Sequence, residues 1–438
     1  MRRAGARLLI AACAALVTAG IAPPGATQMT DPTLDSRSHQ LVALLAGQDT
    51  PDFLAPSFTA QVSPQQLAAV TAQLRDALGE PTGIAAASPE SSWNTTLTVS
   101  YQRGTATVRL ALDPASPHRV IGLLVTGTTR AGDTLAALSA DIAALPGEAG
   151  FGVWELGGQA GGGSPRRIAG LHDTVVAPLG SAFKLWLLAE ASRQVTAGKR
   201  RWDDVVSLGL PSLPSGITQS WPVGTPMTLQ SLATLAISIS DNTAADTLLT
   251  TLGRDRVNAM VRLAGAAEPA RTLPLLSTRE AFVLKADPAL AARWATATPA
   301  ERRRILAAEA PRIAAAPLSA ALFADKPVAT DEVEWFASPA DMARLLDWLR
   351  LHADAPARAI MATNPGTDAA TRAPFDYLGF KGGSEPGVVT LNWLAHTKDG
   401  RWLAVTGHWH RTDAAVSTLT FATLMNRALA LAAQAPPR

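Results

Sequence analysis

Gly180-Ser181-Ala182-Phe183-Lys184, running into the apolar stretch Leu185 to Leu188, is the segment from which the rest of the chain can be read. On a helix, positions i and i+3 share a face, so Ser181 and Lys184 come side by side. A serine beside a lysine able to give up its proton is an activated nucleophile. Alone the pattern is weak, since any surface helix can contain it. Two further segments strengthen it: Ser240-Asp241-Asn242, 59 positions after Ser181, and Lys381-Gly382-Gly383, 141 positions after Ser240. The chain has six lysines, and two of them stand in these segments.

The residue types define a chemistry. At the first turn of a helix, the Ser181 oxygen lies near unpaired backbone N–H groups and the positive end of the helix dipole, which favour an oxyanion. Lys184 can accept the Ser181 proton only if its pKa is depressed, and burial and the neighbouring cation Lys381 would both depress it. Ser240 supplies a hydroxyl that relays a proton to a leaving group. Asn242 can orient Lys184 or hold a substrate amide, although Ser-Asp-Asn by itself reads as a helix cap or Asx turn. Lys381, on an edge strand, offers positive charge to Ser240 and to a substrate carboxylate. The backbone N–H of Ser384 would pair with that of Ser181 as an oxyanion hole, each donor typically worth ~10²–10³ in rate. Gly382 and Gly383 leave the strand open to a substrate backbone. Asp246 reads as a surface or capping carboxylate.

S-x-x-K, S-D-N and K-T/S-G in this order resemble the active-site set of the class A β-lactamase and penicillin-binding-protein superfamily. The resemblance covers roughly residues 134 to 433. It implies a β-lactamase-like α+β fold, a five-stranded antiparallel sheet flanked by helices with an all-helical subdomain that bears Ser240. It also implies the roles: Ser181 nucleophile, Lys184 base, Ser240 and Lys381 proton relay and anion contact, with Asn242, Phe380, Gly382, Gly383 and Ser384 lining the substrate. The implied reaction is an acyl-enzyme route on small-molecule esters, β-lactams or peptidoglycan-like compounds, without cofactor or metal. The wider layout, with Phe380 just before Lys381, is similar to the two-domain cephalosporin-esterase-like proteins of clavulanic acid clusters.

Two departures stand out. Class A β-lactamases activate the deacylating water with a glutamate in an E-x-x-L-N loop. That loop should fall near Arg271 to Glu280, where the motif does not occur, and Glu268 and Glu280 are the nearest carboxylates. Lys381 is followed by Gly382 rather than a hydroxyl residue that would bind a β-lactam carboxylate. Both weaken efficient β-lactamase action and leave acylation of Ser181 intact. They open an alternative: a penicillin- or peptidoglycan-fragment-binding module acylated without turnover.

The ends and composition place the chain. Arg2, Arg3 and Arg7 precede an apolar core, Leu8 to Ala22, which reads as a secretory signal over residues 1–28 and predicts a secreted or periplasmic protein. Its removal takes the formal charge from +2 to −1, which argues against a nucleic-acid partner. No later segment is long and apolar enough to span a membrane, and a monomer is the expected state. Cys13, the only cysteine, excludes an internal disulfide. It reads as part of the signal core, with lipid attachment as the alternative.

Residues 29–128 read as a small α+β domain of the nuclear-transport-factor (NTF2) or cystatin kind: helices at 36–46 and 64–78, then strands at 95–102, 105–112 and 120–125. Residues 126–133 read as a hinge, and 129–438 as the hydrolase domain. There the pattern predicts a helix at 134–145, strands at 151–156 and 167–171 around a Gly-rich turn at 157–164, and a helix at 181–197. The surplus between Ser240 and Lys381 is assigned to 281–331, with helices at 299–309 and 317–323. A helix at 338–351, strands around Lys381, at 387–394 and at 401–409, and a closing helix at 419–433 complete it. His408 and His410 share one strand face and, with no third ligand in view, read as sheet surface. Trp186 and Trp348 read as core or cleft lining. The absence of G-x-S-x-G excludes the nucleophile elbow of α/β-hydrolases.

Overall fold

Residues 32–157, 165–317, 319 and 326–435 are described in the computed structural model. The expected signal with Cys13, nearly all of the Gly-rich turn at 157–164 and most of the helix expected at 317–323 lie outside them. The chain divides into two compact units, Met1–Asp133 and Thr134–Arg438.

In the first unit, helices Pro32–Leu45, Pro56–Thr59 and Pro64–Leu78 precede an antiparallel meander of strands Pro81–Pro89, Asn94–Tyr101, Gly104–Leu112 and Val120–Arg130. Ser63 and Gln66 close a capping box at the third helix, with Pro64 in its first turn. Leu97, Val99 and Tyr101 alternate inward and pack with Leu41, Leu45, Leu74 and Leu78, the period of two that buries one sheet face. One strand carries little signal in the sequence, and one expectation needs correction. Pro81–Pro89 is a strand although Ala85, Ala86 and Ala87 give it little β-propensity; pairing to Asn94–Tyr101 overrides composition. Residues 126–133 are not a free hinge, because the strand runs on to Arg130, opposite Gly104. Its threonines are β-branched residues that suit a pleated edge, so the unit ends at Asp133 rather than 128.

The second unit is built on a five-stranded antiparallel sheet in the order Phe375–Glu385, Val388–Thr397, Trp402–His410, Glu148–Leu156, Arg166–Leu171. Helices Leu135–Ala143 and Thr418–Gln434 cover one face through Leu138, Ile142, Phe421, Met425 and Leu429 against Phe151, Val153, Trp393 and Val405. On the other face lies Pro339–His352, where Thr406 Oγ1 donates to Pro339 O at 2.8 Å. Helices Leu229–Ser238, Asn242–Leu252 and Arg254–Leu263 pack around Lys184–Thr196. That central helix is enclosed all round: Leu185, Trp186, Leu187, Leu188 and Ala189 are all buried. Each such large apolar side chain is stabilised by about 1.5–3 kcal/mol on burial.

Local expectations fare unevenly. Ser181 lies in a 3₁₀ turn, Gly180–Phe183, and the α-helix starts only at Lys184. The region after Ser277 holds more helix than expected, with Thr278–Lys285 and Pro288–Thr296 before a helix Pro299–Ala315 that carries Pro311 inside it. Trp186 is core, and Trp348 is partly buried against His352. His408 and His410 are not sheet surface: their exposures are 2% and 8%.

Candidate active site

The nucleophile turn is held by close backbone approach. Gly180 adopts a φ of +54°, a left-handed conformation that favours glycine. A Cβ there would meet Ser384 N at 2.8 Å. From the other side, a Cβ on Gly383 would lie 2.0 Å from Leu179 O and 2.4 Å from Ser181 N. The edge strand Phe375–Glu385 and the Ser181 turn thus touch main chain to main chain. That contact brings the backbone of Ser384 to the turn carrying Ser181, the arrangement an oxyanion hole needs.

Ser240-Asp241-Asn242 connects helices Leu229–Ser238 and Asn242–Leu252. Ser240 has a φ of +60°, a strained conformation for a residue with a side chain, of order 1–3 kcal/mol. Asp241 holds it in place. Fully buried, its carboxylate accepts from Ile217 N, Thr218 N, Thr218 Oγ1 and Ala244 N at 2.6–2.9 Å. It caps the following helix and ties down the 213–221 segment at once. Gly216 leaves room for this, since a Cβ there would sit 2.3 Å from Asp241 Cγ.

The three motifs converge. Lys184 Nζ lies 3.2 Å from Ser181 Oγ and 3.2 Å from Ser240 Oγ. It donates to Ser240 O and Asn242 Oδ1, each at 2.6 Å. Asn242 Nδ2 donates to Leu213 O at 3.0 Å, which fixes the amide so that its oxygen faces the lysine. Lys381 Nζ donates to Ser240 Oγ at 3.1 Å and to Gly382 O at 2.5 Å. Ser181, Lys184, Ser240, Asn242 and Lys381 therefore form one connected network, with both amines on the Ser240 hydroxyl.

Electrostatics favour a neutral amine. Burial pushes Lys184 down to about 7, partly offset by Asp246 and Asp241. Burial, and then the charge of Lys184, hold Lys381 well below the ordinary lysine value. Asp246, itself raised by burial, caps helix Thr278–Lys285 by accepting from Thr278 N and Arg279 N. It is the capping carboxylate of the two readings, and it is partly buried.

Phe380 and Gly382 explain each other. The Phe380 ring packs tilted at 35° against Trp393, 4.9 Å between centroids, and a Cβ on Gly382 would meet its Cζ at 3.0 Å and Leu391 Cδ2 at 3.2 Å. The ring takes the space a hydroxyl side chain would need. Glu280 belongs to the capping box of Ser277 and accepts from Arg254 Nη2 at 2.6 Å. Glu268 lines a separate cavity with Arg271 and His410. Among the described residues, neither carboxylate bonds to a motif side chain.

Sequence reasoning missed a buried charge cluster beside the nucleophile. Lys285 Nζ donates to Glu334 Oε1 at 2.9 Å and Glu385 Oε1 at 2.5 Å, and Gly180 N donates to Glu334 Oε2 at 3.1 Å. Lys285 and Glu334 are almost wholly buried. Glu385 is raised to about 8, by burial foremost and by Glu334, against the lowering effect of Lys285. The scarcity of lysines was the one available signal, since none of the three residues stands in a motif.

A model of the Beta-lactamase enzyme family matches residues 133–352. Among solved structures, a β-lactamase from Sphaerobacter thermophilus DSM 20745 is 22% identical, with 69% of this chain and 98% of that chain covered and a TM-score of 0.46. The ancestral (GNCA) class A β-lactamase is 21% identical, with coverage of 68% and 96% and a TM-score of 0.45. PBP-A is 14% identical, with coverage of 68% and 93% and a TM-score of 0.44. No curated protein sequence matches the chain.

Proposed function

The chain belongs to the β-lactamase enzyme family, and from that premise we propose that it is a serine hydrolase that forms an acyl-enzyme through Ser181 on esters or weakly reactive β-lactams. One observation carries this reading: a buried amine held down to about 7 stands 3.2 Å from the Ser181 hydroxyl. Lys184 takes the Ser181 proton as Oγ attacks the acyl carbonyl, and the N–H groups of Ser181 and Ser384 receive the oxyanion. Ser240, bonded to both lysines, passes the proton to the leaving group as the tetrahedral intermediate collapses. Incubation with p-nitrophenyl acetate and with a fluorescent penicillin is the test. Wild type should release product or carry label, and Ser181→Ala should lose at least ~10³ in rate. Equal ester turnover by the variant would remove the proposal.

A second reading rests on a different observation. No E-x-x-L-N occurs near Arg271 to Glu280, and Glu280 is committed to a helix cap and Arg254. A module acylated by penicillin or peptidoglycan fragments without turnover fits that departure. Intact-mass spectrometry separates the two, a permanent adduct favouring binding and a transient adduct with released product favouring hydrolysis. For localisation, the Arg-rich start and apolar core support export, with cleavage between Ala22 and Gln28. N-terminal sequencing of the mature chain would contradict this by finding Arg2 or Arg3 retained.

A further inference from the structure

Outside the serine site, one cluster combines donor chemistry with unmet bonding. Trp402–His410 pairs antiparallel with Glu148–Leu156 so that His410 lies opposite Glu148 and His408 opposite Gly150. The period of two puts His408 on the same face as His410 and Glu148. Gly150 makes room for the imidazole, since a Cβ there would meet His408 Cε1 at 2.8 Å. Ligand atoms of Glu148, His408 and His410 all lie within 4.8 Å of one another.

Four polar atoms of these groups, both ring nitrogens of His408, Nδ1 of His410 and Oε1 of Glu148, are buried without a hydrogen-bond partner among the described residues. His408 and His410 are more than nine-tenths buried. A buried polar atom left unsatisfied is disfavoured, and a native structure provides something to meet it. His410 Nε2 lies 3.3 Å from Asp331 Oδ1. A ring whose Nε2–H faces a carboxylate keeps Nδ1 as a lone-pair donor, the carboxylate–histidine pairing found behind metal ligands. Glu148, His410 and Asp331 also line a cavity of about 430 Å³ with Arg271 and Glu268, which provides an entry path and space for a water ligand.

We propose that Glu148, His408 and His410 bind a divalent transition-metal ion, with Asp331 orienting His410. Two imidazole nitrogens and a carboxylate oxygen form a zinc-type donor set, with an open fourth position for water on the cavity side. Mg²⁺ and Ca²⁺, which take oxygen ligands, do not suit it. The ion is independent of the Ser181 chemistry, so failure of either idea leaves the other standing.

The test uses the full, untagged chain after dialysis against a chelator, titrated with Zn²⁺ by calorimetry and with Co²⁺ by its visible absorption. Wild type should bind one ion per chain, its Tm should rise with Zn²⁺, and Co²⁺ should give the spectrum of a low-coordinate nitrogen–oxygen site. Glu148→Gln and His410→Asn should weaken binding at least ~10-fold, and Asp331→Asn by ~10–100-fold. If His410→Asn fails to fold, Glu148→Gln at the strand end keeps the test open. Absence of Zn²⁺ binding to wild type, or equal binding by wild type and folded Glu148→Gln, would overturn the proposal; buried water would then be the partner of His408.

Discussion

Lys184 sets the pH dependence expected of the proposed reaction. Its amine is the proton acceptor, and burial holds it down to about 7. Below that value Lys184 carries its proton and cannot take another. The rate constant for acylation should therefore fall about tenfold per pH unit on the acid side. Above that value the rate should level off. Stopped-flow acylation by a fluorescent penicillin between pH 5 and 9 checks this; a profile flat through pH 7 would assign the base elsewhere. The amine itself was legible as a catalytic candidate, because Ser181 and Lys184 are three residues apart. Its depressed pKa rests on full enclosure by distant helices, which local spacing does not encode.

At the scale of elements, the decisive contact lies between the 3₁₀ turn Gly180–Phe183 and the edge strand Phe375–Glu385. With a projected Cβ 2.0 Å from Leu179 O and 2.4 Å from Ser181 N, Gly383→Ala must push strand and turn apart. A displacement of about 1 Å at a reacting centre can cost ~10²-fold in rate, so acylation should drop at least that much while far-UV circular dichroism stays native. Wild-type acylation by a folded Gly383→Ala would refute the close contact. Gly382 behaves differently. Gly382→Ser alone should not improve β-lactam capture, because Phe380 fills the space, whereas Phe380→Ala with Gly382→Ser should lower the apparent Kd for penicillin relative to Phe380→Ala alone. The glycines were readable as an open stretch of strand. That Phe380, two positions earlier on the same strand, crowds Gly382, and that the nucleophile turn, with Ser181 202 positions away in the chain, demands Gly383, follows from side-chain and backbone packing.

For the molecule as a whole, the Lys285–Glu334–Glu385 cluster links the helix Thr278–Lys285, the segment before Pro339–His352, the edge strand and the nucleophile turn. Removing one member leaves uncompensated buried charge, so Lys285→Met should lower stability by about 3–5 kcal/mol, read as a shift of the urea midpoint. The pH sign follows from Glu385. Its folded pKa is raised to about 8, above the unfolded carboxylate value. The folded state then holds a proton that the unfolded state has lost. The associated stability is present in full below about pH 4 and declines as pH rises to about 8. Glu385→Gln should flatten the fall of Tm between pH 5 and 8; an unchanged slope would place that titration on another group.

The sequence by itself determined the order and residue types of the three motifs, most of the separate helices and strands, and the helix-first order of the N-terminal unit, while the antiparallel sheet flanked by helices was legible only through the family resemblance those motifs carry. The first three are written locally, in i to i+3 spacing, in alternation along strands and in capping residues. Tertiary structure alone decided the strand at Pro81–Pro89, the extension of its sheet through residues 126–130, the charge cluster beside Gly180 and the place of Glu148 opposite His410. Each depends on which strand pairs with which and in what register. Such pairings join residues far apart in the chain through backbone hydrogen bonds that carry no side-chain signature.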